Sequence, residues 1–309
     1  MRITNVALLI LACLGAACTE SDRSAATPGY AELVLVTGAT GTQGGAVARE
    51  LLDRGFDVRG LTRNPDSDRA KVLTDLGVTM VKGNFDDDAS LAAAMHGAYG
   101  VFAVTDFWEH GYDKEVDHGK KLIDAAKNAG VNHFVFTSVA GSNANTGIPH
   151  FDSKAEIEEY LRESGIDYSI VRPVSFMDNF RYFRKQVMTG SFYDPRAGDK
   201  NHQWIAARDI GFFVGEAFDN PDEWSGKALD IAGDEMTIAE YADLLTVTMG
   251  LDVHHQQITW DAYEAEAGDE MTMMTRWFDQ IGYDVDVESL RLRYAGLLTY
   301  EQFLINFER

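Results

Sequence analysis

The stretch that decides the fold is Leu33–Gly45, with the sequence LVLVTGATGTQGG. Its first five residues form a continuous run of β-forming side chains, as expected for a strand that is buried on both faces. The glycines Gly38, Gly41 and Gly44 follow, and a helical pattern begins at Gln43. The first glycine permits a tight turn, the second lets the backbone approach a pyrophosphate, and the third lets the helix pack closely on the strand. The spacing therefore predicts a dinucleotide-binding loop, with a tight turn of purely structural role as the alternative.

Outward from this loop, short apolar runs alternate with amphipathic stretches. The pattern predicts strands at 33–37, 58–62, 79–82, 101–104, 134–138 and 168–172, and helices at 43–54, 68–76, 89–96, 114–129 and 153–163. This alternation is typical of βαβ units, so we predict an α/β fold with a Rossmann-type, doubly wound parallel sheet.

The pattern is less regular after Arg172. It predicts helices at 207–218, 237–250, 269–282 and 299–307, and strands at 229–233 and 252–259. We expect residues 33–175 to form the Rossmann domain. Residues 176–309 should form mainly a smaller α/β cap for substrate or partner, with about 203–233 returning to the Rossmann domain.

The second predicted strand ends at Arg63, 25 residues after Gly38. An acidic residue near this place would bind the adenosine ribose of NAD, whereas an arginine can hold the 2′-phosphate of NADP. Arg63 therefore favours NADP(H), with an ordinary exposed arginine as the alternative.

Composition excludes several other classes of protein. The chain has 309 residues, with 49 acidic and 27 basic side chains and a net charge of −22. Such a chain is a poor general binder of nucleic acid, and anionic membrane surfaces should repel it. Its only two cysteines are Cys13 and Cys18, so the rest of the chain has no disulfide, thiolate zinc site or cysteine nucleophile.

The N-terminus has the pattern of a targeting segment. An apolar run too short to span a bilayer ends in Leu14–Cys18, which resembles a bacterial lipobox. We expect 1–18 to be a lipoprotein signal peptide, Cys18 to be lipidated, and 19–32 to be a flexible tether. The protein would then be anchored in the cell envelope, with the lipid as its only membrane contact. The alternative is a mis-assigned start codon and a cytoplasmic protein.

Taken together, the motifs resemble the NmrA-like family of atypical short-chain dehydrogenases, and within it the redox-sensor type. The resemblance covers nearly everything from Leu33 onward. It rests on Val36–Gly45, Thr62–Pro65, Val104–Glu109, His150–Lys154 and Arg172–Phe180.

The resemblance implies a site for NADP(H). It assigns Gly38, Ala39, Thr40, Gly41, Thr42 and Gln43 to the pyrophosphate, and Arg63 to the 2′-phosphate. It places Thr105, Phe107 and Trp108 along the dinucleotide, Lys154 at the nicotinamide ribose, and Phe176, Met177, Asp178 and Asn179 over the nicotinamide. Phe107, Trp108, Phe176 and Met177 have an alternative reading as plain core or cap contacts.

Catalysis is the open question. Ordinary short-chain dehydrogenases carry a catalytic tyrosine four residues before the lysine, and this chain has His150 there; Ser138 and Lys154 fill the other two positions. We interpret His150 as a structural residue at the helix start and Lys154 as the one candidate catalytic residue. The resemblance favours an NADP(H)-binding redox sensor or regulator with a protein partner. The alternative is an NAD(P)H-dependent oxidoreductase acting on a quinone, enone or similar small molecule.

The histidines form no metal motif, and Asp86–Asp88 is interpreted as a loop and helix start.

Overall fold

A computed structural model describes residues 31–307. Twelve strands and fourteen α-helices, with two short 3₁₀ helices, follow one another along these residues. The strands are β1 Leu33–Val36, β2 Asp57–Thr62, β3 Thr79–Lys82, β4 Gly100–Ala103, β5 His133–Thr137, β6 Tyr168–Pro173, β7 Ser175–Phe176, β8 Ser191–Asp194, β9 Asn201–Ile205, β10 Lys227–Ile231, β11 Asp234–Thr237 and β12 His254–Gln257.

The helices lie mostly between the strands. They are α1 Thr42–Asp53, α2 Asp68–Asp75, α3 Asp88–Met95, α4 Phe107–His110, α5 Tyr112–Ala129, α6 Pro149–Glu163, α7 Phe180–Val187, α8 Ala207–Asp219, α9 Pro221–Trp224, α10 Ile238–Met249, α11 Trp260–Ala267, α12 Asp269–Gln280, α13 Val287–Arg293 and α14 Tyr300–Phe307.

Seven strands form one sheet in the order β10-β6-β5-β4-β1-β2-β3. All six pairings are parallel. The order reverses between β1 and β4, and ligands of open α/β sheets bind in the crevice at such a switch point. The predicted fold class, a Rossmann-type doubly wound sheet, is confirmed.

The core explains why β1 is apolar throughout. Val34 and Val36 face a cluster that includes Ile210 and Phe213 of α8. Leu35 faces the opposite cluster, which includes Leu122 of α5. Both faces of the strand are therefore buried, as in other parallel sheets with helices on each side.

The remaining strands form two small sheets. β7 and β11 flank β9, and β12 pairs in parallel with β8. A separate apolar cluster lies here, in which Trp204 stacks on Tyr241 and the Tyr241 hydroxyl donates to the Tyr300 hydroxyl at 3.0 Å. β10 belongs to the seven-stranded sheet and α8 packs on α1. The segment from α8 to β10 is therefore part of the layers around the seven-stranded sheet.

The predicted signal peptide at 1–18, with Cys18, lies outside the described residues, and so does the predicted tether at 19–32 except for its last two residues. Within 31–307, no helix combines the length and the apolar character needed to cross a bilayer.

Candidate functional site

A cleft of about 1750 Å³ opens at the carboxyl edge of the main sheet. Its lining begins at the glycine loop with Gly38 and Gly41 and extends to side chains of α11 and α12. One continuous cavity therefore joins the predicted dinucleotide loop to the smaller sheets and the helices that follow them.

The glycine loop has the backbone geometry of an anion-binding turn. Gly38 has φ +58°, and a Cβ there would lie 2.7 Å from Val104 Cγ1. A Cβ on Gly44 would overlap the Gly38 carbonyl, so α1 approaches the strand closely. Among the described residues no side chain caps α1 at Gly41, which leaves the first N–H groups of the helix available to a phosphate. The loop therefore fits a pyrophosphate.

Other members of the loop have distinct positions. Thr40 and Thr42 line the cleft, and Ala39 lines a small adjoining pocket. Gln43 donates its side-chain amide to Thr137 Oγ1 at 2.5 Å, which ties the start of α1 to β5. The guanidinium of Arg181, from α7, donates to Thr42 Oγ1 at 2.8 Å. Sequence reasoning missed Arg181, because only the fold brings this cation to the tip of α1.

Arg63 lines the cleft and already has an anionic partner. Both of its terminal nitrogens bond the Glu109 carboxylate, one of them at 3.0 Å. This hydrogen-bonded pair raises the pKa of Arg63 and lowers that of Glu109. A 2′-phosphate at Arg63 would compete with Glu109, which the sequence did not indicate.

Lys154 belongs to a buried network around Glu115. Its ammonium lies 2.9 Å from Glu115 Oε1 and donates to Thr105 Oγ1 at 2.6 Å. Thr105 and Ser153 also donate to the Glu115 carboxylate. Burial acts to raise the pKa of Glu115, but the charge of Lys154 and these hydrogen bonds lower it overall. Lys154 is therefore held in place beside Thr105, a residue of the cleft wall.

The other residues assigned to the cofactor divide into two groups. Trp108, Phe176 and Asn179 line the cleft, and the Phe107 ring packs on Trp108. Met177 is completely buried in the apolar cluster with Trp204. Asp178 accepts a hydrogen bond from Ala207 N at 2.8 Å, and burial raises its pKa. Cofactor contact stays a prediction for every one of these residues.

Ser138 lies in a second buried network. Its hydroxyl donates to Ser142 Oγ at 3.4 Å, and Ser142 donates to Glu158. Arg172 also donates to the Glu158 carboxylate, at 2.8 Å from Nε. The serine is thus engaged in holding α6 to the sheet.

His150 lies near the start of α6 and also lines the cleft. Its Nδ1 is 2.6 Å from Glu270 Oε1, and its ring lies 5.0 Å from Trp108. Burial lowers the pKa of His150, and Glu270 opposes that effect. A carboxylate only accepts, so Nδ1 carries the hydrogen and Nε2 remains the nitrogen that can take up a proton. Sequence reasoning identified His150 but not Glu270, which is 120 residues away.

The far half of the cleft is an aromatic chamber. It is lined by Phe183, Tyr193, Trp204, Tyr241, Tyr263, Met271, Met274, Phe278 and Tyr283. Flat rings and flexible thioethers suit a planar apolar ligand.

One group of possible metal ligands lies among residues 31–307, namely Asp86, Asp117 and His118. Lys114 contacts both carboxylates and Lys121 contacts Asp117. The chain itself therefore supplies the positive charge at this cluster.

Comparisons with known proteins agree with this architecture. The NmrA-like family model matches residues 31–304. An NmrA-like family domain-containing protein from Dictyostelium discoideum is 30% identical over 302 residues, which cover 89% of this chain and 98% of that protein.

Two solved structures share the fold at low identity. An NADPH-dependent quinone oxidoreductase from Escherichia coli has a TM-score of 0.77 at 22% identity, covering 90% of this chain and 100% of that one. The negative transcriptional regulator NmrA has a TM-score of 0.74 at 17% identity, covering 89% and 95%. The match of the family model over nearly all described residues shows that this chain belongs to the NmrA-like family.

Proposed function

We propose that this protein is an NADPH-dependent reductase of planar aromatic electrophiles such as quinones. The observation that carries the proposal is the continuity of the cleft, which joins the glycine loop to the aromatic chamber in one cavity of about 1750 Å³. A protein that only binds a dinucleotide has no need of an apolar chamber beyond it. The quinone oxidoreductase activity of a solved neighbour supports this choice.

The residues fit a nicotinamide dinucleotide from end to end. The N–H groups at the tip of α1 would hold the pyrophosphate, with Arg181 nearby as an additional cation. Arg63 would hold the 2′-phosphate once it leaves Glu109, and Lys154 would hold the nicotinamide ribose through its place beside Thr105. When bound, the reduced cofactor supplies a hydride.

His150 would supply the proton that accompanies the hydride. A quinone that gains one hydride becomes a hydroquinone monoanion, and one proton completes the reduction. Glu270 fixes the ring through Nδ1, so the Nε2 proton of the imidazolium is the one that can be donated. The ring returns to its neutral form after the transfer and takes its next proton from solvent.

The test is NADPH oxidation by the purified protein in the presence of menadione. We expect turnover that requires the quinone. In the folded fraction of Lys154→Ala, turnover should fall by about 10- to 100-fold, because the nicotinamide ribose loses its anchor. Lys127→Ala is the matched control, since Lys127 bonds the Ser164 carbonyl on the outer surface. Tight NADPH binding without oxidation of NADPH by any quinone tested would reject the reductase.

Redox sensing is the second candidate function, and the Arg63–Glu109 pair favours it. A 2′-phosphate that captures Arg63 would release Glu109 and with it α4, so the cleft mouth would differ between the cofactor-bound and cofactor-free states. The regulator among the solved neighbours supports this alternative. A partner protein that binds only one of the two states would establish it.

Lipid attachment at Cys18, and with it an envelope location, stays a proposal based on the sequence pattern. Processing that globomycin blocks, together with labelled lipid on Cys18, would support it. An unmodified Cys18 in a soluble product would reject it.

A further inference from the structure

The aromatic chamber contains one buried cation, Arg196, which is 6% exposed and lies in the loop between β8 and β9. Its Nε donates to Asp194 Oδ1 at 2.9 Å and its Nη2 donates to Asp194 Oδ2 at 2.7 Å. This bidentate pair fixes the plane of the guanidinium, and the Phe278 ring lies 5.8 Å from its central carbon.

The third bond of Arg196 goes to His202. Nη1 lies 3.0 Å from His202 Nδ1, and His202 Nε2 lies 2.9 Å from Ser175 Oγ. Because the guanidinium can only donate, Nδ1 accepts and Nε2 carries the hydrogen. Burial lowers the pKa of His202, and the charge of Arg196 lowers it further, so this ring is a neutral acceptor.

The donors of Arg196 are incompletely used. A guanidinium has five N–H donors. Bonds to described residues use three of them, which leaves one on Nη1 and one on Nη2. Rings such as Tyr263, Phe278 and Tyr283 line the same cleft as Arg196, together with several polar side chains. A ligand that brings an oxygen acceptor there would gain a charge-assisted hydrogen bond.

We propose that Arg196 recognises a carbonyl oxygen of a planar aromatic substrate in this chamber. The inference rests on the proposed reductase function and assigns the polar contact that selects its substrates. A neutral carbonyl suits the site better than an anion, because Asp194 already balances the charge of Arg196 and the whole chain carries a net charge of −22. The substrate is therefore an uncharged quinone or a related aromatic ketone.

The test compares two probes with the same ring system. Menadione has carbonyl oxygens, whereas methylnaphthalene has none. Binding of each to the full-length protein with NADP⁺ is measured by tryptophan fluorescence, since Trp204 lines the chamber and NADP⁺ prevents turnover. We expect the wild-type protein to bind menadione more tightly, and Arg196→Lys to weaken menadione binding about 10-fold while methylnaphthalene binding is unchanged.

Two further proteins complete the design. Arg59→Lys is the control, because Arg59 bonds the Ala94 and His96 carbonyls away from the chamber, and both affinities should match the wild type. If Arg196→Lys does not fold, the double variant Asp194→Asn with Arg196→Gln removes both charges together and should show the same selective loss.

An unchanged ratio of the two affinities in the folded variant, or no binding of menadione by the wild type, would overturn the assignment. Binding of menadione that depends on Arg196 without NADPH oxidation would reject the reductase and keep the assignment.

Discussion

The Lys154 ammonium lies 2.9 Å from the Glu115 carboxylate, and the Glu115 side chain has no solvent exposure. Isolated charges at such depth are costly, so removing either partner leaves the other charge uncompensated. The carboxylate also accepts hydrogen bonds from Thr105 and Ser153, which join the loop after β4 to α5 and α6. Lys154 is therefore both a candidate cofactor ligand and one half of a structural ion pair.

Glu115→Gln should destabilise the protein strongly. The substitution leaves a buried ammonium without its counter-ion, and breaking a buried pair in this way costs about 3–5 kcal/mol. Urea unfolding at neutral pH measures the loss. Lys154→Met in the same background should restore part of it, because the double variant has no unpaired charge. Equal destabilisation in the single and double variants would contradict this coupling.

The chain order of strands and helices as far as β6, apart from the one-turn helix α4, could be predicted from the sequence because the signals are local. The apolar run before Gly38 and the glycine spacing placed β1, the loop and α1 within two residues of their observed bounds. β7, β8, β9 and β11 were not predicted, since each has only two to five residues and carries little periodicity.

The sequence predicted residues of the site only where those residues belong to a recognisable motif. Arg63 and Lys154 stand in recognisable positions, but their partners Glu109 and Glu115 lie 46 and 39 positions away along the chain. Glu270 and Arg181 are ordinary surface-type residues in the sequence. Folding alone brings them to His150 and to the tip of α1. Pairings of this kind have no local signature.

Glu109→Gln should strengthen NADPH binding without strengthening NADH binding. The 2′-phosphate no longer competes with a carboxylate for Arg63. The two side chains are 67% and 43% exposed, so the pair is worth at most about 1 kcal/mol and the gain is at most about fivefold. Calorimetric titration with both coenzymes measures it.

The same titration on Arg63→Ala should show the opposite effect. The preference for NADPH should shrink, by about 10-fold if one charge-assisted hydrogen bond is lost. Glu156→Gln is a suitable control, because Glu156 pairs with Lys120 on a different surface. Equal affinity of the wild type for NADPH and NADH would refute the role given to Arg63.

His150→Gln should lower kcat/KM for menadione by about 100-fold, because the substrate oxygen loses its proton donor. The wild-type rate should fall as pH rises, since only the imidazolium can donate. Burial holds the pKa of His150 below its ordinary value of about 6.5, so this fall should begin below that pH.

The Glu270→Gln variant tests whether Glu270 positions His150 for proton transfer or only stabilises the fold. Glu270 and Glu115 raise the pKa of His150, whereas Lys154 lowers it. Removing the charge of Glu270 should therefore move the falling limb of the pH–rate profile to lower pH. A variant that loses rate at every pH without any shift of the profile would assign Glu270 to folding alone.

Because of His202, the free energy of unfolding should be smaller in mild acid than near neutral pH. Its ring is buried and its pKa lies well below the ordinary value, first because of burial and then because of Arg196. Between the folded and unfolded pKa values, the unfolded chain binds a proton that the folded chain does not. The free energy of unfolding therefore falls as pH drops below about 6.5. From pH ~7.5 to ~5.5 this group alone accounts for a loss of at most about 1.4 kcal/mol, the limit for a ring that stays neutral in the folded state.

Urea unfolding at those two pH values measures the loss, and His202→Asn should reduce the difference between them by up to that amount. His118 and His150 also have lowered pKa values because of burial, so part of the wild-type difference should persist in the variant.

The acidic surface acts in the opposite direction, because protonating carboxylates relieves the repulsion of a chain with a net charge of −22. Comparing the variant with the wild type cancels that contribution. His96→Asn, at an exposed position, is the matched control. A His202→Asn protein with the full wild-type difference would show that this ring accepts a proton in the folded state, and the neutral acceptor assigned to Arg196 would then be wrong.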